Sequence, residues 1–257
     1  MQKKESYKPI LPHFQQPGQA YFVTWCLLDA IPAKVVQKYS RKLELLKQQI
    51  DSFQQKSPET FGDGRFLTSR KIQLENKNSR HSKLPASKIS KMENVDSKSN
   101  TLKDLRNEYY VLRQKYFKAF NNFLDMEAHP QVNLTNPSNL KVMLEALNFW
   151  HGKKLTNEAF CVMSNHVHWV FQLFEKDKEG NPVYLQDIMH SVKRFSAYRI
   201  NKNEGRKGAL WQKESFDTTI RNEKHMYHVI EYTLNNPVNA GLVQKREEWP
   251  GNWVGDF

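Results

Sequence analysis

Two pairs of residues have the spacing that chemistry needs: His166 with His168, one residue apart, and Tyr232 with Asn236, four apart. The histidines lie in the run AFCVMSNHVHWVFQLF (residues 159–174), which reads as extended backbone. There, side chains at i and i+2 point to one face, so two imidazoles can converge on one cation. Neutral imidazole is a common ligand, and two of them leave positions open for water, a further side chain or a phosphate oxygen. Apolar flanks on both sides set the pair on a rigid strand floor. Two ordinary core histidines would satisfy the same spacing. Residues 227–237, YHVIEYTLNNP, read as a helix that stops before Pro237, with Tyr232 and Asn236 on one face. A phenol is a poor nucleophile at its free pKa of about 10, but a cation on the attacked phosphate lowers the barrier, and a nearby base or metal assists ionisation. Asn236 offers a neutral oxygen to the same cation. A packed Tyr232 and a helix-ending Asn236 fit the pattern too, and Tyr198 and Tyr227 compete as nucleophiles.

The elements that must position these residues follow from periodicity. Residues 20–28, AYFVTWCLL, are aromatic and β-branched and read as a buried strand. From residue 32 the pattern turns helical, with Leu43, Leu46 and Ile50 on one face. A second helix is expected over 105–124, its stripe of Leu105, Tyr109, Leu112, Tyr116, Phe120 and Phe123 lying against the first. Residues 52–103 are rich in Ser, Lys and Asn without sustained period, and read as a flexible insert. A third helix opens at Asn136-Pro137-Ser138 and turns Leu140, Met143, Leu144 and Leu147 inward. Helices are expected over 185–201 and 224–235, separated by turns at 203–208 and a strand near 210–220. This order predicts an α+β fold around one mostly antiparallel sheet.

The 257 residues suffice for one or two domains with a sizeable core. Lys and Arg number 39 against 27 Asp and Glu, a formal net charge of +12, which favours polyanionic partners, nucleic acid before an anionic membrane surface. The 52–103 segment holds eleven of those basic residues against five acidic ones. It reads either as a solvated linker or as a tether onto phosphates. No apolar run is long enough to span a bilayer and the N-terminal residues lack a secretory core, so the expected location is the cytoplasm. Cys26 and Cys161 fall in apolar strands and read as buried thiols without chemistry.

Together these residues resemble the insertion-sequence superfamily of HUH single-tyrosine transposases, and more narrowly the REP-associated tyrosine transposases, named for repetitive extragenic palindromes. Four motifs in order carry the resemblance: Leu11-Pro12-His13-Phe14 leading into Tyr21-Phe22-Val23-Thr24; AFCVMSNHVH at 159–168; GALWQKESFD at 208–217; and NPVNAGLV at 236–243. It covers about residues 8–30 and 109–249. The resemblance implies a ferredoxin-like α+β domain with helices packed on a central sheet. The transposase domain would run over 1–37 and 128–257, interrupted at 38–127 by a helical, partly flexible insertion. It further implies that His166, His168 and Asn236 bind Mg²⁺ or Mn²⁺. Tyr232 would attack DNA to give a 5′-phosphotyrosine and a free 3′-hydroxyl, on single strands carrying hairpins. A monomer is expected, although superfamily dimers exchange the tyrosine helix.

This chain departs from the family pattern at Ser164, Asn239, Phe195 and Phe216, none of them a proposed ligand or nucleophile; Asn239 in place of Lys bears on DNA contact. Lys193, Arg194 and Arg199, interleaved with Phe195 and Tyr198, are candidates for DNA contact, as are Trp211, Gln212, Glu214 and Asp217, the two acids also as neighbours of the metal. Two other readings stay open: a hairpin-binding module of the same fold that does not turn over, and a metal-dependent nuclease that activates water.

Overall fold

A computed structural model describes residues 6–7, 13–14, 16–55, 86–124 and 131–255. The chain divides into two compact units, one formed by Met1–Ser40 with Tyr116–Phe257 and the other by Arg41–Lys115. The smaller unit carries most of two long helices, α1 (Ala33–Gln55) and α2 (Ala86–Leu124). Helix α2 begins well before residue 105, so residues 86–103, expected in a flexible insert, are helical. Their Ser- and Lys-rich composition outweighed the few apolar residues among them, Ile89, Met92, Val95 and Leu102, in the sequence reading. The rest of the expected insert, residues 56–85, lies outside the described residues.

The larger unit opens with a two-residue pairing, β1 (Ser6–Tyr7) on β2 (His13–Phe14). Its main sheet has five strands: β3 (Ala20–Cys26), β4 (Leu155–Val162), β5 (His166–Leu173), β6 (Phe216–Thr219) and β7 (Asn252–Val254), in the order β6-β3-β5-β4-β7. Every ladder in it is antiparallel. Taken alone, the first four of these strands have the spatial order fourth, first, third, second, with helical crossovers after the first and third. This is the ferredoxin-like arrangement, as expected.

Residues 159–174, expected as one strand, are instead the second half of β4, a tight turn and β5. Ser164 and Asn165, both turn formers, interrupt the apolar run, and the Met163 N–H donates to the His166 carbonyl at 2.9 Å. The turn sets His166 at the very start of β5. The strand expected near 210–220 is shorter, only Phe216–Thr219; Trp211 meets Leu27 in an isolated bridge.

Strand parity assigns the sheet two faces. Tyr21, Val23, Trp25, Val167, Trp169 and Phe171 point one way and are all fully buried. Each such apolar side chain contributes about 1.5–3 kcal/mol. This face lies under α3 (Pro137–Asn148) and α4 (Leu185–Asn203). Asn157 ties its layers: the Trp169 indole donates to its Oδ1 at 2.8 Å, and its Nδ2 donates to the Leu147 carbonyl at 3.2 Å. In α3, Leu140, Met143 and Leu147 are buried as expected, but Leu144 is only partly covered and Val142 and Ala146 complete the inner stripe.

The opposite face carries Phe22, Thr24, His166, His168 and Val170. Phe22 and Val170 pack under α5 (Glu223–Asn239) with Val229, Ile230 and Leu234. Helix α5 does not stop before Pro237 but runs through it to Asn239. Proline near a helix end forfeits one N–H bond and kinks little that follows. The Pro237 carbonyl still accepts the Leu242 N–H at 2.9 Å, closing the end of the helix. Asn252 and Arg246 fasten α5 from the C-terminal side, through the Leu234 carbonyl at 2.9 Å and Glu231 at 2.8 Å.

Candidate active site

His166 and His168 both lie on the α5 side of β5, each 1 % exposed, with their Nε2 atoms 3.0 Å apart. The ring protons can be placed from the partners. Asn165 Nδ2 donates to the Leu124 carbonyl at 3.0 Å, which turns its Oδ1 toward His166 Nδ1 at 2.6 Å. An amide oxygen only accepts, so His166 carries its proton on Nδ1 and presents a lone pair at Nε2. His168 faces that lone pair through its own Nε2, while its Nδ1 meets the buried Thr24 hydroxyl at 2.8 Å. A hydroxyl both donates and accepts. Thr24 therefore supports either a proton on His168 Nε2, bridging to His166, or a proton on Nδ1 that leaves two lone pairs converging.

The second arrangement has the geometry that a cation would need. Two nitrogens about 2.1 Å from one ion, at right angles, lie about 3.0 Å apart, which matches the observed spacing. Burial pushes the His166 pKa down to about 3 and holds that of His168 well below its usual range, the latter also through His166, so both rings are neutral near pH 7. Among the described residues, no group of three or more His, Cys, Asp and Glu gathers. Asn236 brings an amide to the histidine pair. Its amide lies beside His166, near enough to counter part of the burial effect on that ring. Its buried Oδ1 nonetheless meets no donor at hydrogen-bonding distance and angle. A buried carbonyl oxygen without a partner is costly, and a cation would relieve that cost. The residues present fit a small divalent ion with open positions for solvent or phosphate.

Tyr232, four residues before Asn236 on α5, stands edge-on to His168 with ring centroids 5.3 Å apart and to Phe22 at 5.8 Å. It is half-buried. The competing tyrosines are elsewhere: Tyr198 is on α4, across the sheet, and Tyr227 is on the exposed side of α5, 68 % and 63 % exposed respectively. Of the three, Tyr232 alone packs against the histidine pair.

The candidate DNA-contacting residues divide. Arg194 and Arg199 are exposed on α4, and Arg199 reaches Glu145 at 3.9 Å. Lys193 instead turns inward. Its ammonium donates to the carbonyls of Gln212, Lys213 and Glu214 at 3.2, 3.5 and 3.4 Å, and burial pushes its pKa down to about 8. Trp211 is buried edge-on to Trp25, its indole donating to Ser196 at 3.1 Å. Gln212 is spent on the end of β3 and the residues after it, its backbone N–H donating to the Cys26 carbonyl at 3.0 Å and its Nε2 to the Leu28 carbonyl at 2.7 Å. These three residues hold the loop before β6 against the end of β3. Glu214, half-buried, is close enough to Lys193 to support its charge. Asp217 pairs with Val23 across the sheet and so points to the face opposite the histidines, beside Tyr21. The expectation that it approaches the metal fails on strand parity. Both cysteines are buried free thiols, as expected.

Thr24 and Asn165, the hydrogen-bond partners of the two histidines, escaped the sequence reading. Asn165 immediately precedes His166 in a turn and was open to notice. Thr24 lies 144 positions from His168, and no local pattern connects them.

No protein-family profile matches the chain. Two curated relatives do: a "Putative REP-associated tyrosine transposase" of Haemophilus influenzae, 28 % identical over 96 residues, and a "REP-associated tyrosine transposase" of Escherichia coli, 28 % identical over 92. Each match covers 36 % of this chain and 54 % or 50 % of the relative, so the chain spans about half the length of the curated relatives it matches. A solved structure of a REP-associated tyrosine transposase bound to a REP hairpin aligns over 95 % of this chain and 90 % of its own, at 13 % identity and a TM-score of 0.38. At that score the backbones are only loosely alike, and the fold assignment stands on the strand order. The two relatives bear out the family resemblance read from the motifs.

Proposed function

We propose that this relative of the REP-associated tyrosine transposases cuts and rejoins single-stranded DNA at hairpin-forming repeats, with Tyr232 as nucleophile. The observation that carries this reading is the convergence of three groups: the two His Nε2 atoms 3.0 Å apart, the Tyr232 ring against His168, and the buried Asn236 Oδ1 one helical turn further along α5. His166, His168 and Asn236 would hold Mg²⁺ or Mn²⁺, which when bound withdraws charge from a scissile phosphate.

The chain's own residues do the rest. Thr24 and Asn165 keep both rings in one orientation, so the site needs little reorganisation when substrate arrives. The rigid α5 sets the phenol beside the pair. Tyr232 Oη forms a bond to phosphorus as it loses its proton; the bond to the 3′-oxygen breaks, and that oxygen gains a proton. The product is a 5′-phosphotyrosine and a free 3′-hydroxyl. Attack by the same or another 3′-hydroxyl returns the phenol and restores a phosphodiester. One phosphoester is exchanged for another at each step, so no nucleotide triphosphate is required.

Incubation with hairpin-bearing single-stranded DNA and Mn²⁺, resolved on a denaturing gel, tests the reading. A protein–DNA adduct in the wild type that is lost in Tyr232→Phe supports it. Cleavage that survives the substitution assigns the reaction to activated water, and binding without cleavage leaves a hairpin-binding module.

A further inference from the structure

Helices α3 and α4 are antiparallel neighbours: the Asn203 amide donates to the Ser138 carbonyl at one end, and the Trp150 indole donates to Ser191 at 3.1 Å at the other. Their outer surface lies on the side of the sheet away from the histidine pair, and nothing in the proposed reaction uses it. It is nonetheless unusual. Among the described residues of the larger unit four aromatic rings are exposed, and three of them, Phe149, Phe195 and Tyr198, belong to this layer, at 54, 38 and 68 % exposure. The inner stripes of α3 and α4 are complete without these rings, which stay partly in water.

Cations accompany these rings. Lys153 Nζ stands 4.2 Å above the Phe149 ring; Lys154 Nζ, also paired with Asp177 at 3.1 Å, stands 5.0 Å above Trp150; and the Arg199 guanidinium, 3.9 Å from Glu145, stands 5.5 Å above Phe195. A ring that already holds a cation at its edge or face presents an apolar plane beside a positive charge. Arg194 and Lys202 extend the positive charge along α4, with Glu145 and Asp187 as the exposed acids of the two helices. A protein partner would be met by apolar side chains within a mixed-charge rim; this surface instead alternates flat rings with cations and carries a surplus of positive charge. That is the chemistry of a strand whose bases stack and whose phosphates need neutralising.

We infer that the α3–α4 layer is a stacking track for unpaired nucleotides, with Phe195 and Tyr198 as base platforms and Arg194 and Arg199 on the backbone. The inference rests on the proposed single-stranded substrate and adds where a part of it lies: across the sheet from Tyr232, beyond the reach of the cleavage centre. It reads base planes and charge rather than base edges, so it is tolerant of sequence.

The test is fluorescence anisotropy of labelled oligothymidylate at fixed salt with the full chain as wild type, Tyr198→Phe, Tyr198→Ala and Phe195→Ala/Tyr198→Ala. Duplex of equal length is measured alongside. Tyr198 is mostly exposed, so its substitutions leave the core intact. The track predicts near wild-type affinity for Tyr198→Phe, a loss of about tenfold for Tyr198→Ala and a larger loss for the double variant, with duplex affinity little changed. Equal affinity of wild type and double variant for oligothymidylate overturns it, as does an equal loss on duplex or an absence of binding by the wild type. Adduct formation at Tyr232 on hairpin DNA, measured in parallel, reports on the proposed function separately.

Discussion

Replacing Thr24 by Val tests how the histidine pair is held. Thr24 is fully buried in β3, and its hydroxyl, 2.8 Å from His168 Nδ1, holds that ring in its orientation. Valine keeps the β-branched shape and the strand preference and removes only the hydroxyl. A buried ring nitrogen then loses its partner, which costs about 1–3 kcal/mol. With a slope of about 2 kcal/mol/M in urea, the midpoint falls by about 0.5–1.5 M. All six tryptophans lie in the larger unit, so their fluorescence reports its unfolding alone. The metal site suffers as well, because a ligand that loses its orienting partner typically binds 10–100-fold more weakly. Mn²⁺ titration followed by electron paramagnetic resonance measures this. Thr24→Ser separates the two effects: it keeps the hydroxyl, costs about 0.8 kcal/mol for the lost methyl, and retains Mn²⁺ affinity. A Thr24→Val protein with unchanged urea midpoint and unchanged Mn²⁺ binding would refute the orienting role of Thr24.

Acid should weaken the fold in a particular window. Both histidines are held neutral by burial, with folded pKa values below the unfolded value of about 6.5, so the unfolded chain binds more protons there and stability falls as pH drops below that value. The loss reaches up to about 1.4 kcal/mol per pH unit for each ring. Urea midpoints at pH 7.0, 5.5 and 4.5 should decline, and the His166→Gln/His168→Gln variant should decline less; parallel curves would contradict the assignment. Asn157→Leu strands the Trp169 indole N–H and the Leu147 carbonyl in the core. A cost of about 2–4 kcal/mol is expected, read as a lowered urea midpoint, and an unchanged midpoint would show that these bonds are not sustaining the layer.

Much of this arrangement was legible in sequence because it is local. The His-x-His spacing sets both rings on one side of any strand, and the four-residue spacing sets Tyr232 and Asn236 on one side of any helix. The α+β class with a mostly antiparallel sheet followed from the order of element types, and the ferredoxin-like arrangement from the family resemblance that the motifs carry. What escaped was set by contacts between distant segments. Thr24 reaches His168 only because β3 pairs with β5, and Asp217 faces away from the histidines only because it registers with Val23 rather than Thr24. Lys193, Trp211 and Gln212 read as surface residues, but the loop before β6 folds back on β3 and absorbs all three. Residues 86–103 are rich in Ser and Lys and still continue α2, and Pro237 sits inside α5 because one missing N–H bond costs little at a helix end. The hairpin at 163–165 was visible as Ser164-Asn165 but was outweighed by the apolar residues around it.

The most direct measurement of the central claim is peptide mass spectrometry on the protein after reaction with hairpin-bearing single-stranded DNA and Mn²⁺, followed by nuclease digestion. The account predicts a nucleotide remnant on the peptide containing Tyr232, attached through a 5′-phosphate, and none on peptides containing Tyr198 or Tyr227. A remnant on another residue, or cleaved DNA with no modified peptide at all, would contradict it.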